Sequence, residues 1–163
     1  MEEVTIRPYA PPDRPALERM LTALQEDMHA IDSFGFHRLY PEFGQRYTDM
    51  TLEKVAEREG RIFFALLGGE PVGCVVGTVK EHTERELLDM RPLRSGFVDE
   101  LYVDPQTRSR GVGALLMREI EAYFRERGCE VVELGVLGDN VRGRVFYARE
   151  GYRVCDLTVV KRL

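Results

Sequence analysis

The segment 108–113 constrains the fold most, because its two closely spaced glycines join a strand-like run to an amphipathic helix pattern. The apolar run 97–103 before it is stopped by Asp104-Pro105, as at the end of a strand. Gly128 ends the helix that follows, and 131–137 has the pattern of another strand. The helix places these apolar residues on one face: Val112, Leu115, Leu116, Ile120, Tyr123 and Phe124. A strand, a helix and a strand in this order predict a parallel pair of strands.

The rest of the chain alternates strand and helix patterns around this unit. Asp13 and Pro15 start a helix whose apolar residues keep helical spacing as far as Met28. Two β-branched runs are joined by Gly68-Gly69-Glu70-Pro71, which is typical of a hairpin. The predicted ranges are strands at 4–9, 62–67, 72–79 and 152–160, and further helices at 51–59 and 140–150. This order predicts a three-layer α/β fold with a largely antiparallel sheet, and we expect one domain, 1–163.

Charge and cysteine content exclude several classes of protein. The chain has 23 Lys and Arg residues against 28 Asp and Glu, a formal net charge of −5. A dedicated nucleic-acid-binding protein normally has a basic excess, so that class is not expected. Cys74, Cys129 and Cys155 are scattered, so the sequence predicts neither a disulfide framework nor a metal site. No apolar run approaches the roughly 20 residues of a membrane span and no signal peptide is visible, so we expect a cytoplasmic protein.

The glycine turn has the chemistry of an anion site. Backbone N–H groups at the start of a helix are unpaired and carry partial positive charge, which attracts phosphate. Gly111 and Gly113 leave room for a phosphate beside the backbone, and Arg108 and Arg110 add cationic donors. A tight strand-to-helix turn would need the same glycines without a ligand. Two common nucleotide sites are excluded, since Leu116 stands where a dinucleotide fingerprint needs glycine and no Gly-Lys-Ser/Thr occurs.

The turn spells Arg-x-x-Gly-x-Gly after a strand that ends Leu-Tyr-Val-Asp-Pro. This combination resembles the acetyl-coenzyme-A-binding motif of the GNAT acetyltransferase superfamily. Downstream, Asn140, Phe146-Tyr147 and Gly151-Tyr152 are similar to the second motif helix of that family, so the likeness covers about 96–153. It implies a GNAT-like three-layer fold, with a mixed, mostly antiparallel sheet of six to seven strands and about four helices.

The resemblance implies transfer of an acetyl group from acetyl-CoA, and the scattered Cys and His residues predict no metal. The pyrophosphate is then expected on the turn, which consists of Arg108, Ser109, Arg110, Gly111, Val112 and Gly113. The pantetheine arm is expected to pair like an added strand with Leu101, Tyr102 and Val103. Asn140 is the remaining candidate contact of the cofactor.

Two proton transfers define the candidate catalytic residues. An alkylamine with a pKa of about 10.4 is mostly protonated at neutral pH and must lose a proton before it attacks. Glu100 is the candidate base, and strand alternation places the neighbouring candidate, Asp99, on the opposite face. Some family members use a water relay instead of a dedicated base. The resemblance implies that Tyr147 is the general acid for the leaving thiolate.

The acceptor is expected beside the aromatic segment 33–47. This segment contains Phe34, Phe36, Tyr40, Phe43 and Tyr47, and also His37, the histidine best placed for a catalytic role. Such rings can hold the carbon chain or the charge of an amine, although they can equally anchor a loop or a partner subunit. We expect the amine of a small molecule as acceptor. The alternatives are a protein N-terminal or lysine acetyltransferase and a CoA-binding sensor without catalysis; a homodimer is common in the family.

Overall fold

A computed structural model describes residues 3–163 and contains one mixed sheet flanked by helices. The strands are β1 (Val4–Pro8), β2 (Arg61–Leu67), β3 (Glu70–Glu81), β4 (Arg94–Val103) and β5 (Val131–Leu134). The helices are α1 (Arg14–Ile31), α2 (Phe43–Glu57), α3 (Val112–Glu126) and α4 (Val141–Arg149). The strand order is β1-β2-β3-β4-β5, and only β4 and β5 are parallel. The mixed α/β architecture is confirmed, but the prediction of six to seven strands is wrong for the described residues, which form five.

Each face of the sheet has its own apolar core. On one face α1 packs Leu17, Met20 and Leu21 onto the sheet, where they contact side chains such as Phe64. On the other face the sheet packs against α3. A Cβ atom at Gly96 would lie 2.2 Å from the ring of Phe124 on α3, so the glycine there is required by close packing. No helix within 3–163 is long and apolar enough to cross a membrane.

Helix α2 begins eight positions earlier than the helix predicted at 51–59, since it starts at Phe43. The sequence pattern was misleading because Gly44 resembles a helix breaker. In the structure Gly44 lies where α2 meets α1, and a Cβ atom there would be 2.5 Å from Thr22 Oγ1. The glycine therefore allows the two helices to approach, and it brings Tyr47 into a helix that faces the sheet.

The predicted last strand at 152–160 is wrong, because the described chain after α4 forms neither helix nor strand. The side chains of Val154 and Val159 are 72% and 89% exposed. Strand-like composition is not sufficient, since a strand forms only where its backbone groups find partners. Strand β5 is also shorter than predicted, ending at Leu134 rather than 137. It pairs only with β4, so its other edge is open within residues 3–163.

Candidate active site

Strands β4 and β5 separate halfway along β4. The pairing begins with Ser95 of β4 opposite Val131 of β5 and ends with Val98 opposite Leu134. The remaining segment 99–103 of β4 has no strand partner on that side among the described residues. A cleft of about 220 Å³ opens there, lined by β4, by 135–137 and by side chains of α1, α2 and α4. The carbonyl oxygen of Val103 accepts a hydrogen bond from Arg108, and the other backbone groups on this open edge are available to an extended ligand.

A β-bulge in β4 sets the direction of the two candidate carboxylates. The register with β3 shifts at Gly77, which leaves Asp99 as an extra residue. Asp99 forms an ion pair with Lys54 of α2, and Glu100 accepts a hydrogen bond from the phenol of Tyr47, also on α2. Both carboxylates therefore face α2. The prediction that strand alternation puts them on opposite faces is wrong, because the bulge interrupts the alternation.

Glu100 has the properties of a proton acceptor near neutral pH. Burial raises the pKa of its carboxyl to about 7, the hydrogen bond from Tyr47 opposes that rise, and the charge of Asp99 adds to it. Burial, followed by the charge of Glu100, raises the pKa of Tyr47 as well, so its phenol stays protonated and donates. A carboxyl with a pKa near 7 can take up or release a proton at physiological pH.

Tyr147 on α4 lines the same cleft as Glu100. Its ring meets those of Phe146 and Tyr152 edge to face, with centroids 5.2 and 5.8 Å apart. Burial first, and then the charge of Glu100, raise the pKa of Tyr147 to about 12. The hydroxyl has no hydrogen-bond partner within residues 3–163. Tyr147 is therefore a protonated donor at neutral pH that is free to bond a ligand in the cleft.

The glycine turn forms the start of α3. Ser109 and Gly111 both have left-handed backbone, with φ of 63° and 82°. Gly111 is the residue before the first helical turn and provides no side-chain cap, so the first backbone N–H groups of α3 lack a partner from that residue. Gly113 allows a close helix contact, since a Cβ atom there would lie 3.3 Å from the ring of Phe146 on α4. The turn thus presents unpaired backbone N–H groups at the start of α3. It also lets α3 pack closely on α4.

Arg108 points into the protein rather than along the turn. Its Nε donates to the carbonyl oxygen of Val103 at 2.8 Å, and its Nη2 bonds Asp27 Oδ2 of α1 at 2.6 Å. This arginine therefore ties the turn to the end of β4 and to α1. The side chain of Arg110 is exposed and forms no ion pair among the described residues, so it is the turn's available cation.

The other predicted cofactor residues lie around the same cleft. Leu101 lines the cleft directly. Tyr102 is buried against the α1 core and Val103 packs toward α3, so neither of these two side chains lines the cleft. Asn140 lines the cleft and also caps α4, since its Oδ1 accepts a hydrogen bond from the Gly143 N–H at 2.8 Å.

The aromatic segment divides into two parts. Phe43 and Tyr47 stack at 4.7 Å on α2 and line the cleft. Phe36 is 64% exposed and Tyr40 is also exposed, and neither lines the cleft. Of the five aromatic rings in this segment, only the two on α2 line the cleft, and the role of the segment as an acceptor wall stays a prediction.

His37 also lines the cleft, and sequence reasoning missed how it is held. Its Nδ1 lies 2.7 Å from the Asp32 carboxylate, which also accepts backbone N–H groups from the loop that leads to His37. These hydrogen bonds hold the pKa of Asp32 well below its usual range. A short turn that begins with aspartate after a long helix is the sequence signal that could have indicated this loop.

Comparison with known protein families gives one match over most of the chain. The model of the acetyltransferase (GNAT) family matches residues 18–152. An uncharacterised N-acetyltransferase of Methanocaldococcus jannaschii is 30% identical over 113 residues, which are 64% of this chain and 46% of that protein. Aminoglycoside N(6')-acetyltransferase type 1 of Stenotrophomonas maltophilia is 27% identical over 126 residues, 77% of this chain and 76% of that enzyme. The match thus spans about half the length of the first relative and three quarters of the second.

Solved structures share the fold at lower sequence identity. The crystal structure of a mutant protein from Bacillus halodurans has a TM-score of 0.79 at 21% identity, covering 98% of this chain and 99% of that one. The structure of AAC(6')-Iy in complex with the bisubstrate analogue CoA-S-monomethyl-acetylneamine has a TM-score of 0.72 at 16% identity. It covers 99% of this chain and 98% of that one. Both comparisons show that the overall fold is shared.

Proposed function

The chain belongs to the acetyltransferase (GNAT) family, and we propose that it transfers an acetyl group from acetyl-CoA to the primary amine of a small molecule. The observation that carries this proposal is that Glu100, with its near-neutral pKa, and Tyr147, with a free hydroxyl, line one cleft where β4 and β5 separate. A proton acceptor and a proton donor in one small cleft are what amine acetylation requires.

Glu100 is the base in this proposal. The acceptor arrives as an ammonium ion with a pKa of about 10.4, and the ionised carboxylate takes one of its protons. An ordinary glutamate with a pKa of about 4.3 would make this transfer steeply unfavourable. Burial raises the pKa of Glu100 to about 7, which brings it closer to the pKa of the amine and makes the proton transfer less unfavourable by roughly 3 kcal/mol. Tyr47 keeps the carboxylate oriented while the proton moves.

Tyr147 is the donor to the leaving sulfur. A free thiol has a pKa of about 8.5, so a phenol with a pKa near 12 acts best as a hydrogen-bond donor to the charge that develops there. The backbone N–H groups on the open edge of β4 can polarise the carbonyl oxygen of the acetyl group in the same cleft.

The turn and the open edge of β4 fit acetyl-CoA, which supplies the activated acetyl group when bound. Unpaired N–H groups at the start of α3 suit the pyrophosphate, and the free side chain of Arg110 adds a positive charge. Arg108 bonds both Val103 and Asp27. These contacts hold the proposed phosphate-binding turn, 108–113, in a fixed position relative to the open edge of β4. The open edge of β4 beside Leu101 suits the amide groups of the pantetheine arm.

A small cationic acceptor fits the opposite wall of the cleft. Glu100 provides negative charge on the α2 side, whereas Asp99 beside it is neutralised by Lys54. The stacked rings of Phe43 and Tyr47 offer an apolar surface next to Glu100. The similarity to an enzyme named for acetylation of an aminoglycoside, over 76% of its length, supports a small-molecule amine. A peptide amine and a CoA sensor without turnover are the competing functions.

An acceptor screen that follows the release of free CoA tests the proposal. The panel contains polyamines, aminoglycosides, amino acids and peptides with a free N-terminus or lysine. Turnover of a small amine by the wild-type protein, and its loss in Glu100→Gln, would support the proposal. Calorimetric binding of acetyl-CoA with no turnover of any acceptor would favour the sensor, and turnover of peptides alone would favour a protein acetyltransferase.

A further inference from the structure

His37 lines the cleft but has no role in the reaction proposed above. It lies on the loop between α1 and α2, shares the cleft with Glu100 and Tyr147, and has a side chain that is 32% exposed. Glu100 and Tyr147 are each assigned a proton transfer at the reacting atoms. His37 is therefore a polar group of the cleft that is available to another part of the ligand.

A buried carboxylate holds the ring of His37. The Asp32 side chain is 1% exposed and accepts hydrogen bonds from the backbone N–H groups of Phe34, Gly35, Phe36 and His37. His37 Nδ1 lies 2.7 Å from Asp32 Oδ2. The hydrogen bonds from His37, backbone first and ring second, hold the pKa of Asp32 well below its usual range. An ionised carboxylate only accepts hydrogen bonds, so the ring donates to it through Nδ1.

This contact determines what the other ring nitrogen can do. In a neutral imidazole one nitrogen carries the hydrogen and the other carries a lone pair, so the lone pair of His37 is on Nε2. Nε2 has no hydrogen-bond partner in the part of the chain that the structure describes. The loop is also fixed by its backbone, since His29 Nδ1 donates to the carbonyl oxygen of His37 at 2.9 Å and Gln25 donates to that of Arg38 at 3.0 Å. The cleft therefore contains a hydrogen-bond acceptor whose orientation is set before a ligand binds.

We propose that His37 determines acceptor specificity: its Nε2 accepts a hydrogen bond from a second donor group of the acceptor, either a hydroxyl or a second ammonium. The inference rests on the proposed function, since it places the acceptor in the same cleft. Glu100 binds the amine that reacts, and His37 binds the second donor. An alkylamine without such a group leaves Nε2 to water and binds more weakly.

Matched pairs of amines test this proposal against a purely structural role of His37 in the loop. One pair is a linear amino alcohol, in a series from aminopropanol to aminohexanol, and its methyl ether, which lacks the O–H donor. The other pair is a linear diamine and its trimethylammonium derivative, which keeps the positive charge and lacks the N–H donor. Calorimetric titration of the full chain in the presence of CoA measures their affinities without turnover.

In the wild-type protein the donor-bearing member of at least one pair should bind about fivefold or more tightly. His37→Phe should abolish this preference and leave the affinity for the donor-free member nearly unchanged. His82→Phe is the matched control, because His82 Nδ1 likewise lies 3.0 Å from a backbone carbonyl oxygen, that of Arg91, and His82 does not line the cleft. This variant should keep the wild-type preference.

Long-range ¹H–¹⁵N NMR of the wild-type protein at about pH 8 examines the ring itself and does not depend on a variant that folds. We expect a neutral ring protonated at Nδ1, with the Nε2 signal shifting when the donor-bearing amine is added. A ring protonated at Nε2 would overturn the proposal. So would the absence of binding by any of these amines, equal affinities within both pairs, or a preference that His37→Phe retains.

The test also separates this inference from the proposed function. A preference that depends on His37, in a protein that acetylates none of the amines, would support the role of His37 and contradict the proposed acetyl transfer. Acetylation of amines with no preference for a second donor would have the opposite meaning.

Discussion

Tyr47 on α2 donates its phenolic hydrogen bond to the carboxylate of Glu100 on β4, inside the cleft where β4 leaves β5. Two opposing effects meet at this carboxyl. Burial favours its neutral form and raises the pKa to about 7, whereas the hydrogen bond from Tyr47 favours the ionised form. The balance between them gives a buried glutamate that still ionises near neutral pH.

Tyr47→Phe should move the acid limb of the rate profile to higher pH. The substitution keeps the ring and removes the donor that stabilises the ionised carboxylate, so the pKa of Glu100 rises further. A hydrogen bond to a charged group contributes about 1.5–3 kcal/mol, which corresponds to a shift of about one to two pH units. The rate should fall at pH 7 and recover largely at pH 9, as measured by kcat/KM across pH. Tyr9→Phe, which changes a half-buried tyrosine that stacks on Phe64 outside the cleft, should keep the wild-type profile.

Tyr147→Phe should lower kcat and leave the KM for acetyl-CoA nearly constant. The ring still packs on Phe146 and Tyr152, while the donor to the leaving sulfur is lost. General acid assistance is usually worth about 10²- to 10⁴-fold, and the high pKa of this phenol places the expected loss near the lower end. Steady-state kinetics with saturating acceptor measure it. A kcat within about threefold of wild type would show that Tyr147 does not assist the departure of the sulfur.

Gly111→Ala should reduce the affinity for CoA about tenfold or more, because the new methyl group occupies the proposed phosphate-binding site. It also strains the backbone, since Gly111 has a φ of 82°. Gly128→Ala is a matched control, because Gly128 has a φ of 73° at the other end of α3 and likewise has open space around its Cβ position. Both variants should lose about 1–2 kcal/mol of unfolding free energy. Calorimetric titration with CoA separates them, and equal affinities in the two variants would count against the turn as the CoA site.

Phe43→Ala should raise the KM for the acceptor several-fold more than the KM for acetyl-CoA. Phe43 lines the cleft beside the two carboxylates, so its loss removes apolar surface from the acceptor wall. Phe36→Ala is the comparison, because Phe36 is 64% exposed and does not line the cleft. Kinetics with both substrates varied distinguish the two residues. Equal effects on the two KM values in Phe43→Ala would indicate that this ring only supports packing.

Local patterns in the sequence were sufficient to predict the helices α1 and α3, the hairpin of β2 and β3, and the parallel pair of β4 and β5. These elements follow from apolar periodicity and turn residues that lie close together in the chain. The glycine turn was also predicted as the start of α3, and Gly111 has the left-handed backbone that only glycine adopts easily.

The arrangement of the site depends on contacts between residues far apart in the chain, which a single sequence does not reveal. The bulge at Asp99 arises from the register of β4 on β3, and it turns two consecutive carboxylates toward α2. Arg108 was expected at the phosphate, but Asp27, on a helix distant in sequence, holds it against α1. The segment expected as a strand at 152–160 pairs with no strand among the described residues, although its composition is strand-like.

The pH dependence of kcat/KM at saturating acetyl-CoA, measured for wild type and Glu100→Gln, tests the role of Glu100 most directly. Two acceptors whose amine pKa values differ by at least about one unit are used, so that ionisation of the amine can be separated from that of the enzyme. We predict an acid limb near pH 7 that is the same for both acceptors in the wild-type protein. In Glu100→Gln this limb should disappear and the rate should fall about 10²-fold or more. An acid limb that follows the pKa of each amine, or a Glu100→Gln variant within about threefold of wild type, would contradict the assignment of Glu100 as the base.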